Sequence, residues 1–204
     1  MTREDFLQLK EKYADTIEQI RKAAHQLHES VNQHYDGIHP YGFHLDMVAH
    51  GVMTYGHEAC ANEHDFLPLI FGAFYHDSIE DARQTYNDVK KKALEFMDES
   101  QAFMAAELVY ALTNDKGRTR AERAGERYYA GIRQTPYAPL VKLADRLANI
   151  SYSCRGQNAD NDRMKAIYRQ EWPHFIASIS TDNPQQPFLL PKEMIAAVEQ
   201  LVTD

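Results

Sequence analysis

Phe66-Leu67-Pro68-Leu69-Ile70-Phe71-Gly72-Ala73-Phe74-Tyr75 is an unbroken apolar run, and it leads straight into His76-Asp77-Ser78-Ile79-Glu80-Asp81. The run is far shorter than the ~18 consecutive apolar residues of a membrane span, so it reads as a helix buried in a soluble core. Asp65 just before it suits an N-cap, and Pro68 falls within the first turn, where its missing N–H costs nothing. A greasy helix that ends in a cluster of ionisable side chains has two jobs: it builds the core and it presents chemistry at its end.

The flanking sequence keeps helical spacing. Thr2 and Asp5 have capping-box spacing, and Phe6, Leu9, Tyr13, Ile17, Ile20, Ala24, Leu27 and Val31 follow at steps of three or four, which predicts one long amphipathic helix. Asp36 to Gly42 is a turn, since Gly37 admits positive φ and the residue before Pro40 is pushed out of the helical region. A second helix is expected from about Phe43 through Met47, Val48 and Val52 to about Tyr55, followed by a polar loop.

Downstream, Thr85 with Asp88 repeats the capping signal, and Ser100 opens a run through Phe103, Met104, Val109 and Leu112 that breaks at Thr113 to Gly117. A polar helix over roughly 119–130 is next. Thr135-Pro136 then opens a helix carrying Leu140, Val141, Leu143, Ala144, Leu147 and Ile150. Met164 to Ile179 form a helix with a kink expected at Pro173, and prolines 184, 187 and 191 punctuate a loop before a short final helix. No alternating run longer than three or four residues suggests a strand. The expected fold is all-α, a single-domain helical bundle over 1–204, with the motif-bearing core at about 25–155 and C-terminal helices over 156–204.

Composition narrows the function. The 204 residues are 44% hydrophobic and 25% charged, ordinary for a globular chain. The net charge of −8, from 22 basic and 30 acidic residues, opposes the broad positive field that nucleic acid or an anionic membrane requires, so neither is an expected partner. Cys60 and Cys154 lack a C-x-x-C spacing and read as reduced thiols. The charged N-terminus has no apolar signal region, and a cytoplasmic setting is expected.

Three segments carry chemistry. In the run from 76 to 81, positions three and four apart share a helix face, so Glu80 is expected near His76. Three carboxylates there call for a cation, and His beside carboxylates suits Zn²⁺, Mn²⁺ or Fe²⁺; a solvated helix end is the simpler alternative. In Lys142-Leu143-Ala144-Asp145-Arg146-Leu147-Ala148-Asn149 an acid and an amide sit one turn apart on a helix that otherwise reads as buried, with a scaffold Lys142–Asp145 pair as the simpler alternative. In Tyr41-Gly42-Phe43-His44, the imidazole falls in the first turn of a helix.

The order His44, then His76-Asp77, then a distant Asp145 resembles the HD-domain metal-dependent phosphohydrolases. His76-Asp77-x-x-Glu80-Asp81 and Lys142-Leu143-Ala144-Asp145-Arg146-x-x-Asn149 are most similar to the hydrolase domain of RelA/SpoT-type proteins and the stand-alone metazoan SpoT-homologue type. The resemblance implies that His44, His76, Asp77 and Asp145 ligate one divalent ion, Mn²⁺ first, with Fe²⁺, Zn²⁺ or Mg²⁺ as alternatives. It implies that Glu80 and Asp81 are the catalytic carboxylates and that Asn149 contacts the nucleotide. Tyr41, Lys116, Arg120, Lys142 and Arg146 are the further substrate-binding candidates. A water on such an ion has its pKa lowered from 15.7 towards ~7 and becomes a nucleophile at neutral pH.

The expected activity is hydrolysis of a small-molecule nucleotide, best matched by the 3′-pyrophosphate of guanosine 3′,5′-bis(diphosphate). Two departures bear on the substrate: Leu45 follows His44 where the family usually has Pro, and no Lys or Arg occurs between 23 and 82. Alternatives are therefore a nucleoside monophosphate or NADPH 2′-phosphate as substrate, or a nucleotide-sensing module without catalysis.

Overall fold

The computed structural model describes residues 1–114, 118–156, 159–182 and 184–203, with Arg120 and Ala121 described in their backbone alone. The fold is all-α. In order come α1 (Arg3–Lys12), α2 (Ala14–Ser30), a small hairpin of β1 (His34–Tyr35) and β2 (His39–Pro40), α3 (Gly42–Tyr55), a 3₁₀ turn (Gly56–Glu58), α4 (Phe66–Tyr75) and α5 (Ser78–Asp81). They are followed by α6 (Tyr86–Ala93), α7 (Glu99–Leu112), α8 (Arg120–Arg123), α9 (Glu126–Gln134), α10 (Ala138–Arg155), α11 (Ala159–Ile179) and α12 (Lys192–Thr203). Among the described residues, no helix is long and apolar enough to cross a membrane.

α4 is the buried stave of the bundle. Every residue from Phe66 to Tyr75 is buried, and the helix packs between α3 and α7. Gly72 is what permits the α7 approach, because a Cβ there would stand 2.3 Å from Leu108 Cδ2. α10 is the second stave. Its strongest packing is against α3, with α11 and α12 covering other faces. These two staves bring the end of α4, the start of α3 and the middle of α10 together.

Several local expectations need correction. The first long helix is two, broken at Tyr13, whose backbone leaves helical geometry (φ −103°, ψ 16°). There the Tyr13 ring stacks on Phe66, and its hydroxyl donates to Glu63 at 2.7 Å, so α1 folds back over the segment before α4. The apolar spacing does not register the break because both helices face one core.

Asp65 stands at the N-cap position of α4 without capping it; its carboxylate instead accepts from Tyr137 Oη at 2.5 Å. α7 is capped by Asp98 with Gln101, not by Ser100. The segment at 119–130 splits before Gly125 into α8 and α9. α10 begins at Ala138 rather than at Pro136, because Tyr137 adopts a left-handed conformation (φ 65°) and Pro139 takes the first turn. α11 continues through Pro173. The capping box at Thr85 and Asp88 forms as read.

The turn over 36–42 is a hairpin, pairing His34 with Pro40 and Tyr35 with His39. Asp36 (φ 52°) and Gly37 (φ 69°) are left-handed in succession, a bend that Asp tolerates and Gly favours.

Candidate metal centre

Three elements converge on one point. α3 begins at Gly42 and places His44 in its first turn; α4 ends at Tyr75 and releases His76 and Asp77 into the corner before α5; α10 supplies Asp145 from its middle. His44 Nε2 lies 3.3 Å from His76 Nε2 and 3.4 Å from Asp145 Oδ1. The ligand-type atoms of His44, His76 and Asp145 all fall within 4.8 Å of one another, a group that could hold a metal ion. Asp77 Oδ2 joins them at 2.9 Å from His76 Nε2 and 3.7 Å from His44 Nε2. Both imidazoles are buried and both carboxylates half-buried.

The donor set fits a divalent ion on its own terms. Two ring nitrogens bound at about 2.1 Å to one ion stand roughly 3.0–3.4 Å apart, the separation seen for His44 and His76. His76 Nδ1 lies 2.9 Å from the Ala73 carbonyl, which can only accept; Nδ1 therefore carries a proton, and Nε2 is the atom turned to the cluster.

Electrostatics without an ion are tightly linked. Burial opposes charge on His76, but Asp77 and Asp145 outweigh it and raise the imidazole to about 9. Burial raises Asp77 and Asp145, and their neighbours more than reverse it, holding both below the usual carboxylate range: the His76 imidazole for Asp77, and the Lys142 charge with a hydrogen bond from His44 for Asp145.

Around this group the remaining candidates separate. Lys142 Nζ donates to Asp145 Oδ2 at 2.9 Å, so the scaffold pair and the ligand coexist on one carboxylate. Asn149 Nδ2 donates to Asp145 Oδ1 at 2.6 Å and to the Asp145 carbonyl at 3.0 Å, while its Oδ1 accepts from Tyr35 Oη at 2.9 Å. Tyr41 donates to Asp77 Oδ2 at 2.6 Å and stacks on His28. The side chains of Asn149 and Tyr41 are thus engaged with the ligand group.

His76 and Asp77 form the corner between α4 and α5; Glu80 lies on α5, exposed, and accepts from Asn114 Nδ2 at 3.0 Å. Asp81 is half-buried, and burial together with the Asp77 charge raises it to about 6. Arg146 is buried under α11, paired with Glu171 at 2.8 Å, its guanidinium carbon over the Phe175 ring at 4.2 Å from the centroid. Lys116 lies outside the described residues, as does the side chain of Arg120.

Two residues at the centre carry no sequence signal. Tyr35 lies in the hairpin and stacks on His44, centroids 4.9 Å apart and rings 8° from parallel. His28, on α2, is 1% exposed, and neither ring nitrogen has a hydrogen-bond partner. Burial pushes its pKa down to about 4. A cavity of about 590 Å³ lies between α3, α10 and α12 around Met47, Gly51 and Leu147 and includes no member of the cluster. The chemistry, not the cavity, marks the site here, because ionisable groups brought this close inside a protein need a reason.

No protein-family model matches the chain, and a search of curated proteins returns no match.

Proposed function

We propose that the protein is a metal-dependent phosphohydrolase acting on a small-molecule nucleotide, with Mn²⁺ as the ion and the 3′-pyrophosphate of guanosine 3′,5′-bis(diphosphate) as the substrate group. The observation that carries this reading is the meeting of His44, His76 and Asp145 within 4.8 Å, with Asp77 against both imidazoles. A divalent ion held there supplies Lewis acidity to a phosphoryl oxygen and a nucleophile at neutral pH.

The chain's own residues divide the remaining work. His44, His76, Asp77 and Asp145 hold the ion, and Lys142, Asn149 and Tyr41 fix the carboxylates by donating to them. In the hydrolysis, water adds to the phosphorus bound to the ribose 3′-oxygen, that P–O bond breaks, and pyrophosphate departs to leave GDP, the 3′-oxygen taking up a proton. Glu80, exposed at the rim, and half-buried Asp81 are the carboxylates that take the water's proton and return one to the leaving oxygen. Asn114 holds Glu80 in place. A cytoplasmic setting belongs to the same reading, with Cys60 and Cys154 both free.

A second substrate is favoured by one observation. With Arg146 committed to Glu171 and no Lys or Arg between 23 and 82, fewer cations face a polyphosphate, which suits a single phosphate such as that of a nucleoside monophosphate or NADPH. Incubating the Mn²⁺-loaded protein with guanosine tetraphosphate, NADPH and nucleoside monophosphates decides between them. Pyrophosphate released from the tetraphosphate supports the first reading. Phosphate released from the others alone rejects it, and no release from any of them rejects the enzyme.

A further inference from the structure

The hairpin crosses the stripe of α10 that carries Asp145. Asp145, Asn149 and Tyr152 follow at i, i+4 and i+7 and so share one helix face. The hairpin is tied to that face twice: Tyr35 Oη donates to Asn149 Oδ1 at 2.9 Å, and Tyr152 Oη donates to Asp36 Oδ2 at 2.7 Å. Edge-to-face packing of Tyr35 on Tyr152, 4.9 Å between centroids, fills the space between the two bonds.

Tyr35 therefore touches two members of the ligand group by different means. Its ring lies flat on His44, whose Nδ1 is buried without a partner, so ring contact rather than a hydrogen bond restrains that imidazole. Its hydroxyl anchors the Asn149 amide from the far side: the Asp145 carboxylate and carbonyl can only accept, so Nδ2 faces them at 2.6 and 3.0 Å, and Oδ1 is the atom that accepts from the phenol at 2.9 Å. An amide turned the other way would set oxygen against carboxylate.

We infer, on the metal-binding reading above, that Tyr35 is a positioning residue for the ion: it stacks His44 and, through Asn149, aims the Asp145 oxygen that lies 3.4 Å from His44 Nε2. Groups that orient ligands from outside typically contribute 10–100-fold in metal affinity. The role falls to a residue outside the three chemistry-bearing segments, on a hairpin that α10 holds in place.

Titrating Mn²⁺ alone into the metal-free protein by calorimetry tests this without any turnover. Tyr35→Phe keeps the ring and loses the hydroxyl, and should weaken Mn²⁺ binding about 10-fold with melting temperature little changed. Tyr35→Leu, which also loses the stack, should weaken it further. In an Asn149→Ala background, Tyr35→Phe should have no added effect, because the hydroxyl acts through the amide; a merely structural tyrosine would still cost the same there.

Wild-type protein that binds no divalent ion overturns the proposed function and this role together. Wild-type binding with Tyr35→Phe and Tyr35→Leu within twofold of it overturns the role of Tyr35 alone, as does an undiminished Tyr35→Phe effect without Asn149. Should Tyr35→Leu fail to fold, Tyr35→Phe and the Asn149 background still decide.

Discussion

Replacing His28 by phenylalanine should free the fold from part of its acid sensitivity. His28 is 1% exposed, stacks on Tyr41 with centroids 4.6 Å apart, and has neither nitrogen satisfied, so a phenyl ring keeps the contact and removes two stranded polar atoms. Its pKa lies near 4 in the fold, depressed by burial from 6.5. The unfolded chain therefore takes the proton first as pH drops, and stability that is whole above the unfolded value is lost as pH falls from 6.5 towards 4. At pH 5 an unfolded imidazole is almost fully protonated and the buried one almost fully neutral, which costs the native state about 2 kcal/mol relative to neutral pH. Urea unfolding of both proteins at pH 7 and pH 5 measures it, since the other titrating groups cancel in the comparison. The drop between the two pH values should be smaller in His28→Phe by about 2 kcal/mol, and the variant should gain stability at pH 7 as well. Parallel pH dependence in the two proteins would refute the assignment of a neutral, unpartnered imidazole.

Asp145→Ala should abolish Mn²⁺ binding by calorimetry and phosphate release together, while Glu80→Gln should bind the ion within twofold of wild type and lose about 10²- to 10⁴-fold in turnover. Full activity in Glu80→Gln would remove that carboxylate from the mechanism. Gly72→Ala forces a methyl into Leu108 and should destabilise the protein by about 1–3 kcal/mol in denaturant, a value near zero meaning that α4 and α7 are not in close contact. Tyr137→Phe leaves the Ala61 N–H, now 3.1 Å from the phenol oxygen, and the Asp65 carboxylate short of a partner, and should cost about 1–3 kcal/mol by the same assay.

The residues that could be read from sequence are those whose role depends on near neighbours. The Thr85 capping box is a local pattern, and it forms as read. The apolar run of α4 has no polar residue to turn outward, so it is buried all round. His44, His76, Asp77 and Asp145 are legible as ligand types in three separate segments, and packing brings them together. What escaped depends on contacts distant in sequence. Tyr13 breaks its helix to reach Phe66 and Glu63, Tyr137 adopts a left-handed backbone with its hydroxyl on Asp65, and Arg146 turns away from the cluster to Glu171. Glu80 accepts from Asn114, far along the chain, and no local spacing points to that partner.

Arg146 also ties the C-terminal helices to the helix that carries Asp145. The motifs end by Asn149, and nothing in the sequence assigns the helices after Gly156 an evident part in the site. Yet α11 offers Glu171 and the Phe175 ring to a buried guanidinium one residue from Asp145, and α12 lies along the same helix. A version cut at Gly156 would strip the Arg146 guanidinium of Glu171 and Phe175 and uncover the apolar seam that α11 and α12 close, so the rear of α10 helps to hold Asp145, on the same helix, in place.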